Sequence, residues 1–236
     1  MTDDRVDQAL DALAHAPATP PQMSAALEAE LGALAPAKPR RPVRQLAIGA
    51  AASLAYAAVL LAILSMRRDL GELPIGWLVG AGAAWLGGFA LPLYLALVPK
   101  RRSMTPRWQA AAALAIVLSI AFVLLGWNVH PSGPSSLYYG WERFAHGHGC
   151  LWLGLATALV PVAIGAICLR GALPIRSRWI AAGLGAGGGC LGGLLLHLHC
   201  RIADRMHVGL IHGGVVVVAA VLAALIVPRA TDRPFD

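Results

Sequence analysis

Residues 46–66 read LAIGAAASLAYAAVLLAILSM, a stretch without a single charged side chain. An α-helix rises about 1.5 Å per residue, so this run covers the roughly 30 Å hydrocarbon core of a bilayer. It starts beyond residue 44 and has no small-residue cleavage site leading into a soluble domain, so it does not read as a signal peptide. Working outward from it, further uncharged runs occupy 73–99, 108–141, 144–169, 179–200 and 206–228. The run at 108–141 is too long for one crossing. His130-Pro131-Ser132-Gly133-Pro134-Ser135-Ser136 breaks it, because proline and glycine interrupt the helical pattern.

The pattern predicts an all-α fold: a polytopic membrane bundle of six transmembrane helices with a short cytoplasmic N-terminal helical tail. The expected spans are about 46–66, 73–98, 108–127, 150–169, 179–199 and 208–228, within a membrane domain at 45–230. Residues 1–44 form the tail and 231–236 a second, C-terminal one. Pro92 and Pro161 fall inside spans and are expected to kink them. In the fifth span Gly185, Gly189 and Gly193 recur every fourth residue, a flat face for close helix packing.

Composition agrees with this. Of 236 residues, 58% are apolar and 13% charged, about half the charge of an ordinary globular domain. A single soluble core, a secreted disulfide scaffold, a coiled coil and a disordered chain are excluded. The net charge of +7 does not point to nucleic acid, because the basic residues sit at the edges of apolar runs. Taking alternate sides, fourteen Lys and Arg fall with the termini and the 100–107 and 170–178 loops, against five opposite. The positive-inside bias then places both termini on the cytoplasmic side of the membrane.

The glycines of the fifth span do not form a dinucleotide site, since no strand precedes them and no acidic residue follows at the required distance. No phosphate-binding loop, zinc-protease motif or serine-hydrolase elbow is present, and the chain does not read as an enzyme.

The tail differs in kind. Residues 1–37 carry six acidic residues against Arg5, a net −5. Val6, Leu10 and Leu13 form one helical stripe, and Met23, Leu27, Leu31 and Leu34 another, with Thr19-Pro20 as a helix start. Helices this short are marginal alone. Two readings stand: a leader that only positions the first span, or a segment whose stripes are completed by a basic protein partner.

Cys150 opens the fourth span and Cys200 closes the fifth, so this pair shares the outer face; Cys168 and Cys190 read as inert thiols within the bundle. Seven histidines gather toward the same face: His130, His146, His148, His197, His199, His207 and His212. Imidazole and thiolate suit soft or borderline divalent metals. Were 144–150 extended, His146, His148 and Cys150 would project to one side; along a continued fifth helix, His197 and Cys200 would share a face. His212 lies inside the sixth span, where a polar group needs a partner. His146, His148, His197 and His212 are therefore the candidate metal ligands. The plainer reading is that such histidines bond water, headgroups or backbone.

These features meet in a resemblance. Arg68-Asp69-Leu70 with Pro74, Cys150-Leu151, Pro161, Leu169-Arg170-x-Ala172-x-Pro174, the Ala/Gly-rich fifth span, Leu198-His199-Cys200 and Pro228-Arg229 resemble the NrsF-like family. Its members are six-helix membrane anti-sigma factors that hold an extracytoplasmic-function (ECF) sigma factor. The resemblance implies such a sigma factor as partner of the tail, and Cys150, Cys200 and His199 as sensing residues for heavy metal or oxidative stress. Arg201 stands where the family usually has proline, and His146, His148 and His197 are not part of its pattern. Two other classes stay open: a metal or small-solute transporter (or metal-binding membrane protein) using the outer His/Cys cluster, and a haem protein. No span carries the mid-membrane acidic residue of an ion pathway. Nor do two histidines stack on one helix face as haem ligands would.

Overall fold

The computed structural model describes residues 6–8, 11–12, 15, 24–33, 41–98, 105–128, 130–138, 147–170 and 177–231. The chain divides into two compact units, residues 1–40 and 41–236. In the first, α1 spans Ala25–Ala33. Ser24 starts it: its hydroxyl accepts from the Leu27 amide at 3.2 Å, satisfying one of the donors a helix start leaves open. Val6 and Leu27 are exposed. Leu10, Leu13, Met23, Leu34 and the Leu31 side chain lie outside the described residues, as do Thr19 and Pro20.

The second unit is an all-α bundle. It consists of α2 (Pro42–Leu64), α3 (Ile75–Leu97), α4 (Arg107–Asn128), α5 (His148–Leu169), α6 (Ser177–His199) and α7 (Gly213–Thr231). A π-helical turn, His207–His212, leads directly into α7. Among the described residues, six helices are long and apolar enough to cross a membrane, the sixth combining the π-turn with α7. Pro42 occupies the first turn of α2, where its missing amide is not needed. Pro92 and Pro161 lie inside α3 and α5.

Helix α6 is the centre. Of its most apolar window 89% is buried, against 11% for α2. The sequence explains this: its Ala and Gly residues let neighbours approach on every side. A Cβ at Gly183 would stand 3.1 Å from Ala111 of α4, one at Gly187 3.1 Å from Pro92 of α3, and one at Gly188 2.9 Å from the Ala158 carbonyl of α5. Gly185 and Gly189 face α7, where a Cβ at Gly189 would stand 2.6 Å from Val216 Cα. Gly193 departs from that face and receives the Trp85 ring of α3. Around this axis Phe89, Leu93, Leu184, Leu191 and Val216 are buried, and Trp85 stacks on Phe122 at 3.6 Å. The outside is apolar as well: Ile48, Val59 and Ile63 of α2 are exposed, a surface suited to lipid and not to water.

Candidate functional site

The loops at one end of the bundle, called here the cysteine end, lock together before any reactive group is placed. Helix α2 stops at Ser65, whose φ of 64° is left-handed. The Ser65 carbonyl accepts from His199 Nδ1 at 2.8 Å, and the Arg67 amide donates to the Leu198 carbonyl at 3.0 Å. The α2–α3 connection is thus fastened to the end of α6. Arg67 and Asp69 form a bidentate ion pair at 2.5 and 2.6 Å with both side chains fully buried, and Ser136 Oγ donates to Asp69 at 2.8 Å. Burial opposes the charge of Asp69, but the Arg67 and Ser136 hydrogen bonds with the guanidinium charge hold its carboxyl below the usual range. Glu72 accepts from the Ser135 amide and hydroxyl at 2.9 and 2.5 Å. Leu137 bridges to the next connection, donating to Arg201 and accepting from Ala203, each at 3.0 Å.

Under this cap four ligand-type side chains converge. Cys150 lies in the first turn of α5. Cys200 immediately follows α6, its amide donating to the Leu196 carbonyl at 2.8 Å. The Cys150 thiol approaches the Cys200 sulfur at 3.7 Å, and Cys200 Sγ is 3.4 Å from His207 Nε2. The His207 and His212 rings meet edge to face at 5.0 Å. One ligand atom from each of Cys150, Cys200, His207 and His212 lies within 4.8 Å of all the others. Cys150 is half-buried and the other three are buried. His212 Nε2 is buried with no hydrogen-bond partner.

The π-turn makes this convergence possible. On an α-helix, residues five apart point about 140° away from each other. The wider π-turn brings residue i+5 round over residue i, and such turns recur at functional sites. Here the Gly213 amide bonds to the Val208 carbonyl five residues back. The Asp204 side chain accepts from the Met206 amide at 3.1 Å just before the turn. Close approach to α4 then depends on glycine: a Cβ at Gly126 would stand 2.9 Å from Gly209 Cα. Gly147 plays the same part for α5, since a Cβ there would stand 2.7 Å from His207 Nδ1.

The candidate residues therefore separate. Cys150, Cys200 and His212 come together. His207, one of the outer-face histidines but not among the candidate ligands, joins them. His146 lies outside the described residues. His148 is exposed and outside the cluster: α5 already begins at His148, so this segment is helical and not extended, and positions two apart point to different sides. His197 does not join Cys200, because α6 ends at His199. It is buried against Trp77, with ring centroids 4.7 Å apart and Nε2 3.3 Å from the Leu78 carbonyl. His199 is taken up by Ser65. His130 packs on the other side of Trp77 at 4.7 Å and donates from Nδ1 to the Pro131 carbonyl at 2.9 Å. Burial first, then the charges of His212 and Arg67, pushes its pKa down to about 4, so it is neutral at physiological pH. Trp77, Trp85, Phe122, His130, His197 and His212 line a half-open cavity of about 410 Å³.

This arrangement can bind a metal through two sulfurs and two nitrogens or join its two sulfurs by oxidation. The profile of the NrsF family, described as negative regulator of sigma F, matches residues 32–231. No curated protein and no solved structure matches the chain. The family match covers the entire bundle, including all four converging side chains, and it is a family of regulators, not of enzymes. The chain belongs to the NrsF family of negative regulators of sigma factor.

Proposed function

We propose that this regulator is an inner-membrane anti-sigma factor whose tail holds an ECF sigma factor in the cytoplasm and whose cysteine end, on the outer face, triggers release. The observation that carries the reading is the pair of thiols 3.7 Å apart within a family of negative regulators of sigma F. Two inputs suit that pair. A soft metal bridges the sulfurs after their protons leave. An oxidant such as a peroxide takes two electrons, two protons depart, and an S–S bond of about 2.05 Å forms. Either event replaces a loose contact with a fixed link between the α5 and α6 ends, and disulfide formation also draws them closer. Helix α6 packs against α3, α4, α5 and α7, so displacement of its end is felt through the bundle. His199 acts as a positioning residue, tying that end to α2 through Ser65. The first span, α2, follows the tail directly in sequence.

On the cytoplasmic side, the stripes Val6, Leu10, Leu13 and Met23, Leu27, Leu31, Leu34 dock on the sigma factor, and the acidic residues steer a basic partner surface. The fourteen-to-five distribution of Lys and Arg supports this orientation. The bundle's other partner is lipid, and it makes no direct contact with nucleic acid. Co-purification from detergent-solubilised membranes tests the reading. The full chain retains an ECF sigma factor; a chain lacking residues 1–37 does not. Retention by the truncated chain would overturn the tail assignment.

A further inference from the structure

The geometry points to a single four-coordinate site at Cys150, Cys200, His207 and His212 that takes a tetrahedral divalent ion, Zn(II) or its softer congener Cd(II). It deepens the input reading above and rests on that reading only for the face from which the ion arrives.

The spacing carries the inference. Two thiolates bound at about 2.3 Å with a tetrahedral angle between them have sulfurs about 3.8 Å apart. Those of Cys150 and Cys200 are 3.7 Å apart. A thiolate and an imidazole on the same ion place sulfur and nitrogen about 3.6 Å apart. Cys200 Sγ and His207 Nε2 are 3.4 Å apart. The four ligand atoms lie mutually within 4.8 Å, so one ion can reach all of them.

A second observation concerns His212. His212 is 2% exposed, and its Nε2 is buried with no hydrogen-bond partner. A desolvated imidazole nitrogen left in this state is unfavourable, and metal coordination removes the deficit. A third lies in the backbone. The π-turn replaces ordinary helix over His207–His212 and turns the two imidazoles to the same side.

Two sulfurs with two imidazoles in a closed, mostly buried setting favour a tetrahedral ion of zinc type over the oxygen-seeking magnesium or calcium. Cadmium, being softer, competes through the same sulfurs. Each ion displaces two thiol protons to solvent, and the half-buried Cys150 leaves a way in. Because α5, the end of α6 and the π-turn before α7 each contribute, one ion fastens three helices at the cysteine end.

The full chain, purified in detergent and freed of metal, is titrated with Co(II), whose visible absorption reports tetrahedral coordination. Zn(II) and Cd(II) then compete for the site. The expected result is one Co(II) per chain with intense tetrahedral bands, displaced by either ion. His207→Gln or His212→Gln should weaken binding roughly a hundredfold or more, since even supporting residues around a metal are worth 10–100-fold. His207→Cys, which restores a ligand, should recover tetrahedral binding with stronger sulfur charge transfer. His148→Gln should leave the titration unchanged. Undiminished tetrahedral binding when both His207 and His212 are replaced, or no tetrahedral binding by the unmodified chain, would overturn the site. Retention of the sigma factor is scored in the same preparations. Loss of metal binding with retention intact counts against the site alone, and the reverse against the anti-sigma reading.

Discussion

The sulfurs of Cys150 and Cys200 stand 3.7 Å apart although fifty residues separate them in the chain. One begins a helix and the other follows the end of the next, so antiparallel packing brings them to one level. Cys190, also on α6, is fully buried in the apolar core instead. Mild oxidation should therefore join Cys150 to Cys200 and leave Cys190 reduced. Mass spectrometry of proteolysed membranes checks this: a peptide pair linked through Cys150 and Cys200 is expected, and a pair linked through Cys190 would contradict it.

The buried Arg67–Asp69 pair supports the cap above that cluster. Removing one partner of a buried pair leaves an uncompensated charge, so Asp69→Ala should destabilise the bundle by about 3–5 kcal/mol. Ser136→Ala, which deletes one hydrogen bond to Asp69, should cost about 1 kcal/mol. Thermal unfolding in detergent, followed by tryptophan fluorescence, measures both.

The same pair sets an acid limit. The folded Asp69 carboxyl has a lowered pKa, so its contribution is complete above the unfolded value near 3.9 and is lost as pH falls through the folded value. Unfolding temperature should thus gain a downward step below about pH 4. In Asp69→Asn that step should be smaller. An identical acid profile in the two proteins would remove Asp69 from the account.

Packing on α6 predicts opposite outcomes for similar substitutions. A Cβ at Gly189 would stand 2.6 Å from Val216 Cα, a backbone atom that cannot swing aside. Gly189→Ala should cost about 1–3 kcal/mol. Gly80 in α3 has nothing within 4 Å of an added Cβ, so Gly80→Ala should be neutral or stabilise by up to about 1 kcal/mol. The same unfolding measurement compares them.

Much of this architecture is legible in the amino-acid order, for a physical reason. Lipid tolerates no charge over a full crossing, so runs such as 46–66 declare their helices. Small residues declare close packing, and the glycines of α6 lie at the axis of the bundle. Cys150 and Cys200 could be paired because helix ends are countable. His207 was hidden by its spacing: five residues from His212 means opposite faces on an α-helix, and only the π-turn reverses that. His148 misleads because α5 already begins there, so the approach to Cys150 is helical and not extended. His197 misled because its partners, Trp77 and the Leu78 carbonyl, come from a helix more than a hundred residues away. The burial of Arg67 and Asp69 is equally invisible, since loop charges two positions apart ordinarily face water.

Burying one leucine is worth about 1.5–3 kcal/mol, so Leu10→Asp or Leu27→Asp in the tail should weaken sigma-factor binding at least tenfold. Replacing acidic residues of the tail should alter association rate and salt dependence more than final affinity. Surface-immobilised tail with purified sigma factor, run at two ionic strengths, separates these effects.

The central claim is that the cysteine end controls whether the tail holds its partner. The most direct measurement is release of sigma factor from membranes carrying the full chain, before and after adding Cd(II) or peroxide. It is made on the unmodified protein and on Cys150→Ser/Cys200→Ser. The unmodified protein should release the sigma factor on treatment, and the double variant should retain it under both conditions. Equal release from the double variant would contradict the account.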